Sequence, residues 1–291
     1  MDWLTDYKLP IGAGAKQVVD WLTSNLKFLF DFISVVLNAA INAMLFVLQA
    51  PYLRGTALAE YYPLFMILLL TAIAWFMRRS LGVAAFTFFG LLLIYNQGYW
   101  KETMETLALV LAATLVSMVV GVPIGIAAAR RAWLYSFIRP ILDLMQTIPT
   151  FVYLIPALIL FGLGMVPGLI ATVIFAIPAP IRLTRLGIIS TPPSLVEAAE
   201  SFGATPMQVL TKVELPFAKP QIMAGLTQTI MLSLSMVVIA ALVGANGLGV
   251  PVVRALNTVN IASGFASGLC IVILAIILDR VFRSSDEGDK A

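Results

Sequence analysis

Long stretches of this sequence carry no Asp, Glu, Lys or Arg: residues 61–77, 80–100, 106–129, 144–181, 220–253 and 255–278. A helix needs about 20 residues to cross roughly 30 Å of hydrocarbon. Most of these runs are therefore one crossing long. Inside a bilayer each backbone N–H and C=O must find its partner within the segment, and apolar runs of this length do so as helices. Only 11% of the 291 residues are charged and 60% are hydrophobic, against about 25% charged in a soluble domain. A soluble protein of this size would be left with too little polar surface. A soluble enzyme, a disordered regulator and a disulfide scaffold are excluded. The chain reads as an all-α integral membrane protein.

The 144–181 run is too long for one crossing and is broken by Pro149, Pro156, Pro167, Pro178 and Pro180, with Gly162, Gly164 and Gly168 at its middle. It divides into helices near 135–161 and 167–187 around a Gly/Pro turn. Basic residues then set the orientation. Arg78-Arg79, Arg130-Arg131 with Arg139, Arg182 with Arg185, Lys212 with Lys219, and Arg280 with Arg283 fall at alternate ends. Those ends face the cytoplasm by the positive-inside rule. Seven spans result, near 61–77, 81–98, 105–129, 135–161, 167–187, 221–245 and 262–279, followed by a polar cytoplasmic tail at 284–291.

The first 60 residues are a separate N-terminal segment. The opening residues are acidic and polar and hold no signal-peptide apolar region. Asp20, Ser24, Lys27, Asp31, Ser34, Asn38 and Asn42 recur in steps of 3 and 4 and draw one polar stripe along a helix. Such a helix over about 26–48 lies in the interface with its stripe toward water, or it spans with the stripe facing other helices. The stripe favours the interfacial position; both put 49–60 outside. The organisation is then an N-terminal segment (1–60), two peripheral spans (61–100), a core (101–283) and the tail (284–291).

The chemistry is restricted. The chain has no histidine and one cysteine, Cys270, within an apolar run. His/Cys metal sites, Ser-His-Asp triads and structural disulfides are excluded, and Cys270 reads as a small buried hydrophobe. No basic cluster large enough for nucleic acid is present. Asp143 sits at the edge of a span one helical turn after Arg139, so an ion pair between them is expected rather than a proton or cation site. Gly121/Gly125, Gly164/Gly168 and Gly264/Gly268 have the spacing that lets membrane helices approach closely.

Residues 188–220 form the most patterned polar excursion. Pro192-Pro193 stops the preceding helix, and Ser194 stands three residues before Glu197, the spacing of a capping box. Leu195, Ala198, Ala199 and Phe202 share a face, and Gly203 is placed to end the helix in a left-handed turn. Thr205-Pro206 starts a second helix, with Gln208 three residues after Thr205 and Met207, Leu210 and Val213 as its apolar positions. Leu215-Pro216 closes the unit. A compact helix–Gly–helix knob is expected on the cytoplasmic surface, either capping the bundle or offering a helix to a groove on a soluble partner.

Glu197-Ala198-Ala199, Gly203, Val213 and Leu215-Pro216 stand at the spacing of the EAA motif, with Val213 where Ile is usual. The chain thereby resembles the permease subunits of binding-protein-dependent ABC importers. From about 104 to 282 it is similar to their glycine betaine/proline betaine/choline branch, through PILDLMQTIPTFVYL (140–154), SFGAT (201–205), QTIMLSLSMVVIA (228–240) and IVILAIILDR (271–280). The resemblance implies a Type I ABC importer transmembrane fold in a bacterial inner membrane. It implies that Glu197, Ala198, Ala199, Ser201, Phe202, Gly203, Ala204, Leu215 and Pro216 form the part that engages a cytoplasmic ATPase subunit. No G-x-x-x-x-G-K-[ST] sequence is present, so ATP is bound by that partner and this chain needs no cofactor and no catalytic residue. The other implied partners are an extracytoplasmic binding protein and a second permease subunit, most simply a second copy. A quaternary amine would be the cargo. Gln146, Thr147, Thr150 and Tyr153 are candidates for lining the path, Tyr153 or Phe151 through cation–π contact. Asn246-Gly247-Leu248-Gly249 reads as an outer turn at a gate or docking surface. The alternatives are an importer of another small solute such as an amino acid, and a passive osmotically gated channel.

Overall fold

The computed structural model describes residues 10–49 and 61–283, and all regular structure among them is helical. Two helices, α1 (Ile11–Asn25) and α2 (Lys27–Gln49), meet at Leu26. With 23 residues α2 is long and apolar enough to cross a membrane. It buries Ile41 and Leu48 against the bundle, and its contacts run to three later helices of the core. The expected single stripe is thus divided between two helices, with Asp31, Asn38 and Asn42 exposed beside the packed face of α2. The length and hydropathy of 27–49 suit the spanning alternative, and its packing on the core is compatible with either position. Residues 1–9, the outer segment at 50–60 and the tail at 284–291 lie outside the described residues.

Then come α3 (Tyr62–Arg78) and α4 (Leu81–Asn96), followed by α5 (Trp100–Arg130), whose 31 residues extend about 46 Å at 1.5 Å per residue. After it come α6 (Ala132–Thr147), α7 (Thr150–Phe161), α8 (Met165–Ala176) and α9 (Pro178–Ile189). The knob region holds α10 (Pro193–Ser201), α11 (Pro206–Val209) and a π-helical turn (Leu210–Glu214). The chain ends in α12 (Leu215–Ser235), α13 (Val237–Ala241), α14 (Gly249–Asn257) and α15 (Ile261–Phe282). The helix α14 was not foreseen: the outer turn at 246–249 leads into it before the last span begins.

The expected straight helix at 135–161 is instead two helices bent by 98°. Pro149 disfavours helical geometry in its predecessor, and Ile148 is extended with ψ 133. The bend leaves carbonyls at the end of α6 without helical partners. The Tyr153 hydroxyl points its one hydrogen into this end, nearest Met145 O at 2.5 Å, with Ile148 O at 3.1 Å.

The frame that positions the knob is α5, α9 and α12, the most closely packed group. Small residues make it possible. A Cβ on Gly125 would lie 2.8 Å from Ile181 O on α9, and one on Gly187 would lie 2.8 Å from the Ala218 Cβ on α12. Gly121 meets Pro180 in the same way. The Gly264/Gly268 pair does not: Gly268 has nothing within 4 Å of its Cβ position. The largest apolar cluster joins α3, α4, α5, α12 and α15 and includes Cys270, which is buried as expected.

The basic helix ends gather at one end of the bundle. Arg78 at the end of α3 donates to Arg283 O after α15, and Arg130 at the end of α5 reaches the knob. At the other end Leu248 N donates to Thr106 Oγ1 on α5 at 2.8 Å, and Gly164 N donates to Val243 O at 2.9 Å.

Candidate functional site

The knob stands on the basic end, between α9 and α12. Pro192 caps α10 and Pro193 opens it, two residues earlier than the spacing suggested, because proline is favourable in the first helical turn. Ser194 therefore lies inside the helix, and its capping box with Glu197 does not form; no side-chain hydrogen bond caps this end. The second box does form, with Thr205 N donating to Gln208 Oε1 at 2.8 Å and Gln208 N donating to Thr205 Oγ1 at 3.4 Å.

Gly203 ends α10 with φ +80, a left-handed conformation that a Cβ disfavours. Its N–H donates to Glu200 O at 2.8 Å, and Ala204 N donates to Ala199 O at 3.1 Å. The Ser201 hydroxyl folds back on Glu197 O at 2.8 Å. Leu215 and Pro216 do not close the unit as expected. The π turn carries the chain without a break from α11 into α12, so they form the first turn of the spanning helix.

Nothing on α10 is buried. Leu195, Phe202 and, beyond Gly203, Met207 are exposed, Phe202 at 93%. Burying a phenylalanine is worth about 1.5–3 kcal/mol, so the knob holds apolar surface available to another molecule. Ala198 is exposed and Ala199 half-buried, which keeps that surface thin. Glu197 forms no ion pair among the described residues. It lines a cavity of about 500 Å³ beneath α10, together with Arg130, Thr191, Pro193, Val196 and Glu214.

The candidate path residues cluster around the α6–α7 bend. Asp143 does not pair with Arg139. Its Oδ1 lies 2.6 Å from Arg182 Nη2 on α9, and Arg182 Nη1 donates to Gln146 Oε1 at 3.0 Å. The tertiary fold brings Arg182 closer than the same-helix arginine, and the Arg fork satisfies two acceptors at once. One turn along α9, Arg185 stacks on the Tyr135 ring of α6 at 3.6 Å. Thr147 donates to Asp143 O at 2.9 Å, Thr150 is in the first turn of α7, and Tyr153 spends its hydroxyl on the bend. Sequence reading missed Arg182 and Arg130 as partners, since their acceptors lie tens of residues away with no spacing rule to expose them.

A family model described as "Binding-protein-dependent transport system inner membrane component" matches residues 121–288. The glycine betaine transport system permease protein OpuAB of Bacillus subtilis (strain 168) is 45% identical over 95% of this chain and 94% of its own length. The glycine betaine/carnitine transport permease protein GbuB of Listeria monocytogenes is 44% identical over 97% of this chain and 98% of its own. Among solved structures, an inward-facing MetNI methionine ABC transporter chain is similar with a TM-score of 0.55. It is 25% identical and covers 60% of this chain and 88% of its own.

Proposed function

We propose, from the premise that this chain belongs to the family of binding-protein-dependent transport system inner membrane components, that it carries quaternary amine osmolytes into the cell. It is the multi-pass permease subunit of an ABC importer in the inner membrane, and ATP hydrolysis is the work of a separate subunit. Within the chain, 101–283 would be the conducting core, 61–100 a peripheral pair of helices and 1–60 an appended segment.

The observation that carries the coupling role is the knob, with Glu197 through Gly203 presenting an open apolar surface on a helix that buries none of its own side chains. Two copies would enclose the path, each offering one knob to an ATPase subunit. ATP binding would draw the knobs together and open the path outward, a binding protein would deliver the solute, and hydrolysis would restore the inward-facing state. The tight α5–α9–α12 frame is what lets a pull on the knob move whole helices instead of bending a loop. Around the path, the Tyr153 ring and the polar groups of Gln146, Thr147 and Thr150 would contact the solute, the ring by cation–π attraction to a quaternary ammonium. Cargo selection belongs to the binding protein. The relatives named for glycine betaine support that class, which would also admit carnitine or choline.

The test is uptake of labelled glycine betaine into proteoliposomes holding the permease with its ATPase and binding protein, with and without internal ATP. ATP-dependent uptake, with choline competition to rank cargoes, is the expected result. ATPase activity without uptake moves the search to another solute. Equal flux without ATP refutes the importer and leaves the channel.

A further inference from the structure

The knob is not held evenly. Its outgoing helix α10 overhangs the cavity, whereas its return limb, α11 and the π turn, is clamped to the end of α5 by one side chain. Arg130 Nη2 donates to Pro206 O at 3.0 Å, at the start of the limb, and to Glu214 Oε2 at 2.8 Å, at its end. The two acceptors are eight residues apart in sequence. In an unbroken α-helix, eight steps of about 100° would place Glu214 about 80° around the axis from Pro206. A π turn absorbs one residue and turns Glu214 back to about 20°, nearly in line. The π turn thus brings Glu214 onto the side of the limb where Pro206 O also meets Arg130.

The Glu214 side chain is 16% exposed and that of Arg130 33%. The pair is more sheltered than a surface ion pair and is less screened. At the other end of α5, Thr106 accepts from Leu248 N of the outer turn. The 24 steps from Thr106 to Arg130 cover about 36 Å of helix, continuous through Pro123, and join the knob to the outer turn.

We propose that Arg130 is the positioning residue that makes the knob's return limb and α5 move as one body, so that ATP-driven displacement of the knob reaches the outer turn through α5. The proposal rests on the reading of the knob as the ATPase contact. Without the clamp the knob still engages the ATPase through α10, but its movement is taken up in the π turn and the cavity beneath α10. Hydrolysis continues while less solute crosses per ATP.

The experiment uses the full complex in proteoliposomes and reads glycine betaine imported per ATP hydrolysed, with ATPase co-purification as the assembly control. Arg130→Glu and Glu214→Arg should each keep the ATPase bound and hydrolysing but lower the ratio about fivefold or more, the low end of intersite coupling. The double exchange restores the pair, though not the Pro206 bond, and should recover about half of the lost ratio. Glu214→Ala, which introduces no like charge, should lower the ratio even where an exchange variant fails to assemble. A native ratio in Glu214→Ala, or a double exchange no better than either single, overturns the clamp. So does a proportional fall of uptake and hydrolysis, which is the mark of plain structural damage. Failure of the underlying reading looks different: variants of Phe202 would then bind the ATPase as the native chain does, whatever the Arg130 pair does.

Discussion

Replacing Phe202 by alanine separates folding from docking. The side chain is 93% exposed in the isolated permease, so its removal leaves no cavity and takes away no internal packing. The stability of the detergent-solubilised subunit should stay within about 0.5 kcal/mol of native, as for surface positions generally. If the knob is the ATPase contact, the ring becomes buried in the complex, where it is worth about 2 kcal/mol. Its loss should weaken association about thirtyfold per knob, at 1.4 kcal/mol for each factor of ten. Phe202→Leu, which keeps most of the apolar area, should lose far less. The assay is a titration of purified ATPase onto permease in nanodiscs, read as a dissociation constant, beside a thermal melt of the permease alone. An unchanged constant for Phe202→Ala would refute the assignment of this face, and a large drop in melting temperature would refute the claim that the ring has no role within the chain.

Four other outcomes follow from the geometry. Gly203→Leu meets no atom within 4 Å of its new Cβ, so its cost is backbone alone, about 1–2 kcal/mol for a left-handed residue; the chain should insert but uncouple hydrolysis from uptake in proteoliposomes. Gly125→Val should do worse, because its first added carbon already lies 2.8 Å from Ile181 O; a loss of about 1–3 kcal/mol from overpacking should appear as a lower melting temperature and reduced yield from membranes. Asp143→Asn should cost under about 1 kcal/mol, since the partners in its pair with Arg182 are 54% and 34% exposed and such pairs are largely screened; the melt checks this. Tyr153→Phe should cost about 1 kcal/mol, one net hydrogen bond at the bend, with uptake falling more than stability if the bend belongs to the path.

Much of the knob was legible from local chemistry. Thr205 and Gln208 form their box and Gly203 takes its left-handed turn because both depend on neighbours a few residues away. Where two local signals competed, reading failed: at Ser194 the adjacent prolines started the helix first. Long-range partners had no local signature. Arg139 stood at helical spacing from Asp143 and was the natural choice, yet Arg182, 39 residues on, holds that carboxylate. The π turn was invisible for the same reason, since the contact it serves, Glu214 with Arg130, joins residues 84 positions apart.

By itself the sequence determined that this chain is a membrane protein of apolar helices, and that a helix–Gly–helix knob with a Thr205–Gln208 capping box stands between two of them. Those properties follow from transfer free energies and from backbone conformational preferences, which act residue by residue or over a single turn. Only the tertiary structure decided that α2 packs along the bundle, that the fourth expected span folds at a right angle, and that Arg130 and Arg182 pair across helices. Those outcomes depend on how close two backbones come, and that distance is set where Gly125 and Gly187 meet residues more than 30 positions away.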